Sequence, residues 1–312
     1  MLPDVALTVR ARRAAVVLAA LSLGACGDAT DAPASCDLPQ VPAAHCGAAH
    51  ALRLPDALPR SRGNDYGDNE QAAHLGLSLF FDPNLGRGVS CASCHLPELA
   101  FADRRPVSTG KQTGNRNSPT TFNAARLSVF FWDGRADSLW SQPLIPIENP
   151  AEMASTRLEL AQRILLDYRA RYEAVFGALP DVAAWPPVGK PGDAAFDQLS
   201  VQTRAEVNRL FSNIGKALDA FMRKSTTGRA DLDAFLDGDH GALLEPAQRG
   251  LAVFLRGGCA DCHGGPMLTD EAFHKVEFPS LPNATPDRGR AGGLEQLRTS
   301  EFSLSGPFAD RG

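Results

Sequence analysis

Two short stretches constrain this chain more than anything else in it: CASCH, with Cys91, Cys94 and His95, and CADCH, with Cys259, Cys262 and His263. Thiols three positions apart on a helical turn can each add to one vinyl group of a single porphyrin. The histidine that follows then presents its imidazole to the iron. Zinc would instead draw its four ligands from Cys and His spaced to pair the two motifs. An exported CxxC could also serve as a redox disulfide. With seven Cys and seven His in 312 residues, two chance CxxCH motifs are far less plausible than two covalent c-type haems. A fold carrying such groups is helical, loop-rich and built outside the cytoplasm.

The N-terminus agrees with that compartment. Arg10, Arg12 and Arg13 precede a short apolar run that ends at Leu23, Gly24, Ala25 and Cys26. This has the form of a signal peptide, 1–25, with a lipobox and a lipid-anchored Cys26; a plain secretory signal ending near a Cys is the other reading. Both lead to an oxidising compartment, on the periplasmic side of a bacterial membrane. Cys36 and Cys46 are then the only pair left for a small-loop disulfide. The formal net charge is −5, and −7 without residues 1–25. An acidic surface argues against nucleic acid as a partner and leaves room for a small basic redox protein.

Along the chain, 26–64 reads as a Pro-rich tether, 65–228 as an N-terminal haem domain and 229–312 as a C-terminal one. A helix is expected over about 68–81, with Leu75, Leu79 and Phe80 on one side. Thr156 with Glu159, and Thr203 with Glu206, form capping-box patterns. Behind the second pair, Val207, Leu210, Phe211, Ile214, Leu218 and Phe221 make an apolar stripe of helical period. Pro246 opens a shorter helix leading into the second CxxCH. No segment alternates long enough to propose a sheet. The expected class is all-α, with two cytochrome c-like haem domains and much loop, as 28 Gly and 23 Pro suggest.

Haem attachment leaves function open, because the ligand opposite the histidine decides it. No His lies between His95 and His240, and Met153 is the only Met between His95 and Met222. The first haem is therefore expected to keep an open position, as a catalytic haem needs. Trp140, His45, His50, His74, His240 and His274 read as packing or surface residues.

The stretches LGLSLFFDPNLGRGVSCASCH, FADRRPVSTG, NRNSPTTFNAA, FFWDGRADSLWSQ, NPAEM and RGLAVFLRGGCADCHGGPMLT occur here in one order from about residue 70 onward. In this they resemble the bacterial di-haem cytochrome c peroxidases and the related MauG-type maturases. The resemblance implies a peroxidatic haem on His95 and an electron-entry haem on His263. It implies that Trp132 relays electrons between them, and that Gln142 and Glu152 line the peroxide pocket. It also implies that Asn117 contributes to a calcium site. Heterolysis of an O–O bond moves a proton between its oxygens, a task suited to the Glu152 carboxyl, while the Gln142 amide can hydrogen-bond without titrating.

The sequence departs from the family pattern at Thr109, where many peroxidases carry a distal histidine eight residues before the asparagine that Asn117 matches. It also ends at GPFADRG, short of the segment that supplies the second haem's distal ligand in relatives; a fragment of a longer product is the expected reading, and Met267 lies too close to His263 to fill that role. The expectation is a peroxidase that reduces hydrogen peroxide with electrons from a small cytochrome c or cupredoxin. A maturase that oxidises a partner protein and a non-enzymatic di-haem carrier are the alternatives.

Overall fold

A computed structural model describes residues 36–276 and 287–311. The signal segment and Cys26 lie outside them. Ten α-helices are described: α1 (Cys46–His50), α2 (Glu70–Phe81), α3 (Leu144–Glu148), α4 (Arg157–Arg163), α5 (Arg169–Phe176), α6 (Ala194–Asp197), α7 (Val201–Met222), α8 (Asp231–Leu236), α9 (Glu245–Arg256) and α10 (Gly289–Thr299). Strand-like pairing among the described residues is limited to three isolated bridges, Leu96–Ala102, Thr109–Thr113 and Phe130–Ala136. The all-α expectation holds. No described helix is long and apolar enough to cross a membrane.

Helix α2 begins where Asn69 accepts a hydrogen bond from the Ala72 amide. It stops at Asp82, whose carboxylate caps the turn Pro83–Gly86. Its Leu75, Leu79 and Phe80 are buried against α7, which supplies Val207, Leu210, Phe211, Ile214 and Leu218 to the same core. Side chains of this size contribute roughly 1.5–3 kcal/mol each when fully buried. The two helices touch at Gly76, where a β-carbon would lie 1.9 Å from the Ala217 carbonyl oxygen. Thr156 caps α4 as its spacing predicts, accepting from the Glu159 amide. At α7 the prediction misses by one turn: the cap is Ser200, which accepts from the Thr203 amide, and the helix is already under way at Thr203.

The two ends of the described chain pack against distant segments. From Cys36 onward the supposed tether is folded, closed by the expected Cys36–Cys46 disulfide. Leu38, Val41, Ala49 and Leu52 bury themselves with Phe235, Leu236, Leu251 and Leu255 of α8 and α9. The C-terminal segment does the reverse. Phe302, Phe308 and Ala309 join the core around α7. Each end of the described chain is therefore packed against elements far from it in sequence. Pro-rich composition hid the first of these contacts, because it reports loop but says nothing of what the loop covers.

Candidate active site and haem attachment turns

Both CxxCH motifs adopt one local geometry. Cys91–Ser93 and Cys259–Asp261 are single 3₁₀ turns. The His95 amide donates to the Cys91 carbonyl at 2.9 Å, and the His263 amide to the Cys259 carbonyl at 2.8 Å. The first turn is held by a reciprocal Ser90–Ser93 cap. The second follows α9, which Gly257 ends, with Gly258 turning the chain at φ +75°. Neither imidazole is free to rotate. His95 Nδ1 lies 3.0 Å from the Phe101 carbonyl oxygen, and His263 Nδ1 lies 3.1 Å from that of Leu268. With Nδ1–H donated to a carbonyl, Nε2 is the atom left to bind a metal.

The donor set fits haem better than its rivals. Burial pushes the His95 imidazole below its ordinary value, outweighing the Phe101 and Pro119 carbonyls, so the ring is a neutral ligand. Burial likewise pushes the Cys91 thiol up to about 12, and it raises the Cys94 thiol too, helped by the Asp103 and Glu152 charges and opposed by that of Arg105. A thiol raised by burial in this way is a poor nucleophile for disulfide exchange. Cys262, Asp270 and His274 do come together at the surface, but the first motif joins no such metal-binding group among the described residues. Two polar atoms near the His95 turn, Asp103 Oδ2 and Ser108 Oγ, are buried without a partner.

A loop pair faces the first turn. The Thr109 carbonyl oxygen lies 3.7 Å from Cys94 Sγ. The same loop is bound to the one carrying Glu152, through Lys111 N to Glu152 O and Gln112 N to Ala151 O, both 2.9 Å. Gly110 permits that approach, since a β-carbon there would stand 2.5 Å from the Glu152 carbonyl oxygen. Cys94, Thr109 and Glu152 are thus brought together. The Glu152 carboxyl is raised above its ordinary value, mainly by burial, although Asn149 and the Arg135 charge pull it down. Asn149 Nδ2 donates to Glu152 Oε1 at 2.6 Å. The sequence reading missed Asn149; its signal was the spacing of three to Glu152 within NPAEM.

Gln142 is half-buried on the turn entering α3, its backbone amide bound to the Ser138 carbonyl at 3.2 Å. Helix α3 therefore separates Gln142 from Glu152 and rests on α7, where a β-carbon on Gly215 would meet the Trp140 carbonyl at 2.2 Å. Trp132 is 60% exposed on the polypeptide surface, and its indole Nε1 donates to the Asn117 carbonyl at 3.0 Å. Trp140, by contrast, is fully buried, as a packing residue should be. Met153 is core too, with its side chain packed over Gly86. The Asn117 amide nitrogen donates to the Arg105 carbonyl at 2.8 Å. The described groups of three or more His, Cys, Asp or Glu side chains that could hold a metal do not lie around Asn117.

Two histidine-bearing CxxCH turns on a helical frame, each with its imidazole tethered through Nδ1, define a di-haem protein of c type. The chain belongs to the di-haem cytochrome c peroxidase family, whose sequence model matches residues 70–241. It is 33% identical over 250 residues to cytochrome c551 peroxidase of Pseudomonas aeruginosa, spanning 76% of this chain and 63% of that protein. It is 32% identical to the methylamine utilization protein MauG of Methylophilus methylotrophus, spanning 84% of this chain and 73% of the relative. The chain thus covers less than two thirds of the Pseudomonas peroxidase. Among solved structures, the diheme peroxidase BthA from Burkholderia thailandensis shares the fold, with TM-score 0.59 and 24% identity over 84% of this chain and 70% of that one. A MauG-like protein associated with microbial copper homeostasis has TM-score 0.55 and 27% identity over 77% and 69%.

Proposed function

We propose that the protein reduces hydrogen peroxide to water at the His95 site, drawing electrons one at a time through the His263 site from a small cytochrome c or cupredoxin. The observation that carries this reading is the half-buried Glu152 carboxyl, held by Asn149 beside the loop that contacts Cys94. Bound haem supplies the iron that receives peroxide and the electrons that reduce it. The chain's residues supply the proton handling and the orientation. Asn149 occupies Glu152 Oε1, leaving Oε2 to take a proton from one peroxide oxygen and return it to the other. A carboxyl whose pKa is raised by burial holds a proton more readily than a free one. The Gln142 amide, hydrogen-bonded to no described side chain or carbonyl, offers a donor that does not titrate. Trp132 carries electrons between the two sites, and its exposed, oxidisable indole is anchored at Nε1 by Asn117.

Export and anchoring belong to the same proposal. Residues 1–25 direct the chain to the periplasm, and Cys26 tethers it to the membrane by lipid. The similarity to MauG favours one second reading, in which the same oxidising site acts on side chains of a partner protein.

Peroxide turnover by the di-haem protein with reduced cytochrome c tests the proposal. Glu152→Gln is expected to lower kcat by about 10²–10⁴-fold with both haems still attached, the range for loss of a general acid–base. Turnover by Glu152→Gln at the unaltered rate overturns the assignment of Glu152. No peroxide turnover by the unaltered protein, with oxidation of a bound protein partner instead, favours the second reading.

A further inference from the structure

The Trp132 turn is held by residues far along the chain. Arg290, at the start of α10, donates from Nη1 to the Asp133 carbonyl at 3.2 Å and to the Gly134 carbonyl at 2.7 Å. Its guanidinium lies 4.2 Å from the ring centre of Phe273, ten residues beyond His263. Arg116 makes a second tie. Its Nη1 donates to Asp133 Oδ2 at 2.6 Å, while Nε and Nη2 grip Asp287 at 2.9 and 2.6 Å. Helix α10 packs so closely here that a β-carbon on Gly293 would stand 2.0 Å from the Asp133 carbonyl oxygen. Arg116 adjoins Asn117, whose carbonyl accepts the Trp132 indole N–H. The indole is thus fixed at its nitrogen by one neighbour and at its backbone by another.

We propose that Arg290, together with the Arg116–Asp287 pair, is the positioning device for electron passage between the two haem sites. It pins the turn carrying Trp132 to the segment that follows the second attachment motif. The inference rests on Trp132 as the relay. In each transfer one electron is lost at the His263 site and gained at the His95 site; Arg290 exchanges none and acts only through the placement of the indole. Arg290 reaches both carbonyls from one nitrogen, so its loss frees the turn, and a shifted indole lengthens the electron's path.

The test uses the intact di-haem protein, reduced by one electron with a fast chemical reductant, and follows the optical redistribution of that electron between the haems. Arg290→Gln is expected to slow redistribution by roughly tenfold or more, with both haem spectra and the haem content unchanged. Arg290→Lys is expected to restore most of the rate, since one ammonium can lie between the two carbonyls. Gly293→Ala, which wedges α10 away from the turn, should also slow it. Should Arg290→Gln fail to take up both haems, Asp287→Asn decides instead, because it loosens Arg116 without altering the turn. A wild-type rate in these variants, with a slow Trp132→Phe protein, overturns the positioning role and leaves the relay standing. A wild-type rate in Trp132→Phe overturns the relay, and this inference with it.

Discussion

At the scale of single residues, Thr109 and Asp219 carry consequences that can be measured. Thr109 brings its carbonyl, and no imidazole, to the first attachment turn. A haem ligated only by His95 from the protein is high-spin when oxidised. The oxidised di-haem protein is therefore expected to show a high-spin electron paramagnetic resonance signal and to react with peroxide without prior reduction; a wholly low-spin spectrum would sink this. Asp219 is fully buried on α7, where Oδ2 accepts from Ser61 and Asn64 while Oδ1 has no partner. Burial raises its carboxyl above the ordinary value; Asn64, Ser61 and the Arg223 charge oppose that, and Asp68 adds to it. A raised carboxyl binds its proton more tightly in the folded state. Its contribution is thus complete below an unfolded value of about 3.9 and is lost as pH rises through the folded one. Denaturant titrations of Asp219→Asn are expected to show a flatter fall in stability above about pH 4 than the parent protein shows. Parallel pH profiles would mean that Asp219 titrates as an ordinary group.

At the scale of elements, α2 and α7 show how much a helix pair depends on one missing methyl group. Gly76 places α2 against the Ala217 carbonyl, so Gly76→Ala must push the helices apart or bend one of them. Overpacking of this kind costs about 1–3 kcal/mol, which urea denaturation would register as a lower midpoint at constant slope. An unchanged midpoint would show that the contact yields freely. Both helices were legible in the sequence through their apolar stripes, and Leu75, Leu79, Phe80, Leu210 and Ile214 are buried as their spacing requires. The start of α7 was read one turn late, because Ser200 and Thr203 both satisfy the chemistry of a cap. Only the observed hydrogen bond from the Thr203 amide to Ser200 Oγ, at 3.0 Å, separates them. The site was legible in part. The attachment residues and Glu152 stand in recognisable strings, whereas the Phe101 and Leu268 carbonyls that orient the imidazoles are backbone atoms and leave no mark on residue type.

At the scale of the whole molecule, the long-range packing of the chain ends explains why α7 buries polar side chains. Lys216 is 1% exposed, and its ammonium meets Asp310 Oδ1 at 2.5 Å while lying 5.6 Å from the Trp140 ring centre. Arg157 is equally enclosed, bound to Glu148 of α3 and to Glu301 beyond α10. Asn208 donates to the same Glu301 at 2.8 Å. These contacts fasten the C-terminal segment to elements that lie much earlier in the chain. Removing one partner of a buried ion pair leaves the other charge uncompensated, at a cost of about 3 kcal/mol. Asp310→Ala is therefore expected to lower the unfolding midpoint of the di-haem protein, followed by tryptophan fluorescence or by the haem absorbance. A change below about 0.5 kcal/mol, the scale of an ordinary surface substitution, would show that Lys216 finds water or another acceptor.

By itself the sequence determined the two attachment turns, the all-helical class, the family and the main apolar stripes, since each depends on residues near one another in the chain. Tertiary structure alone decided that Leu38, Val41, Ala49 and Leu52 pack with α8 and α9 and that Phe302 and Phe308 join the core around α7. It also decided that Asp287 and Arg290 hold the Trp132 turn, across more than 150 residues of chain. The physical reason is common to all three. Periodicity and spacing record which face of an element is apolar, but a buried Lys216 or a clasped Asp133 is tolerable only where a distant partner arrives to satisfy it. That arrival is a property of the folded chain.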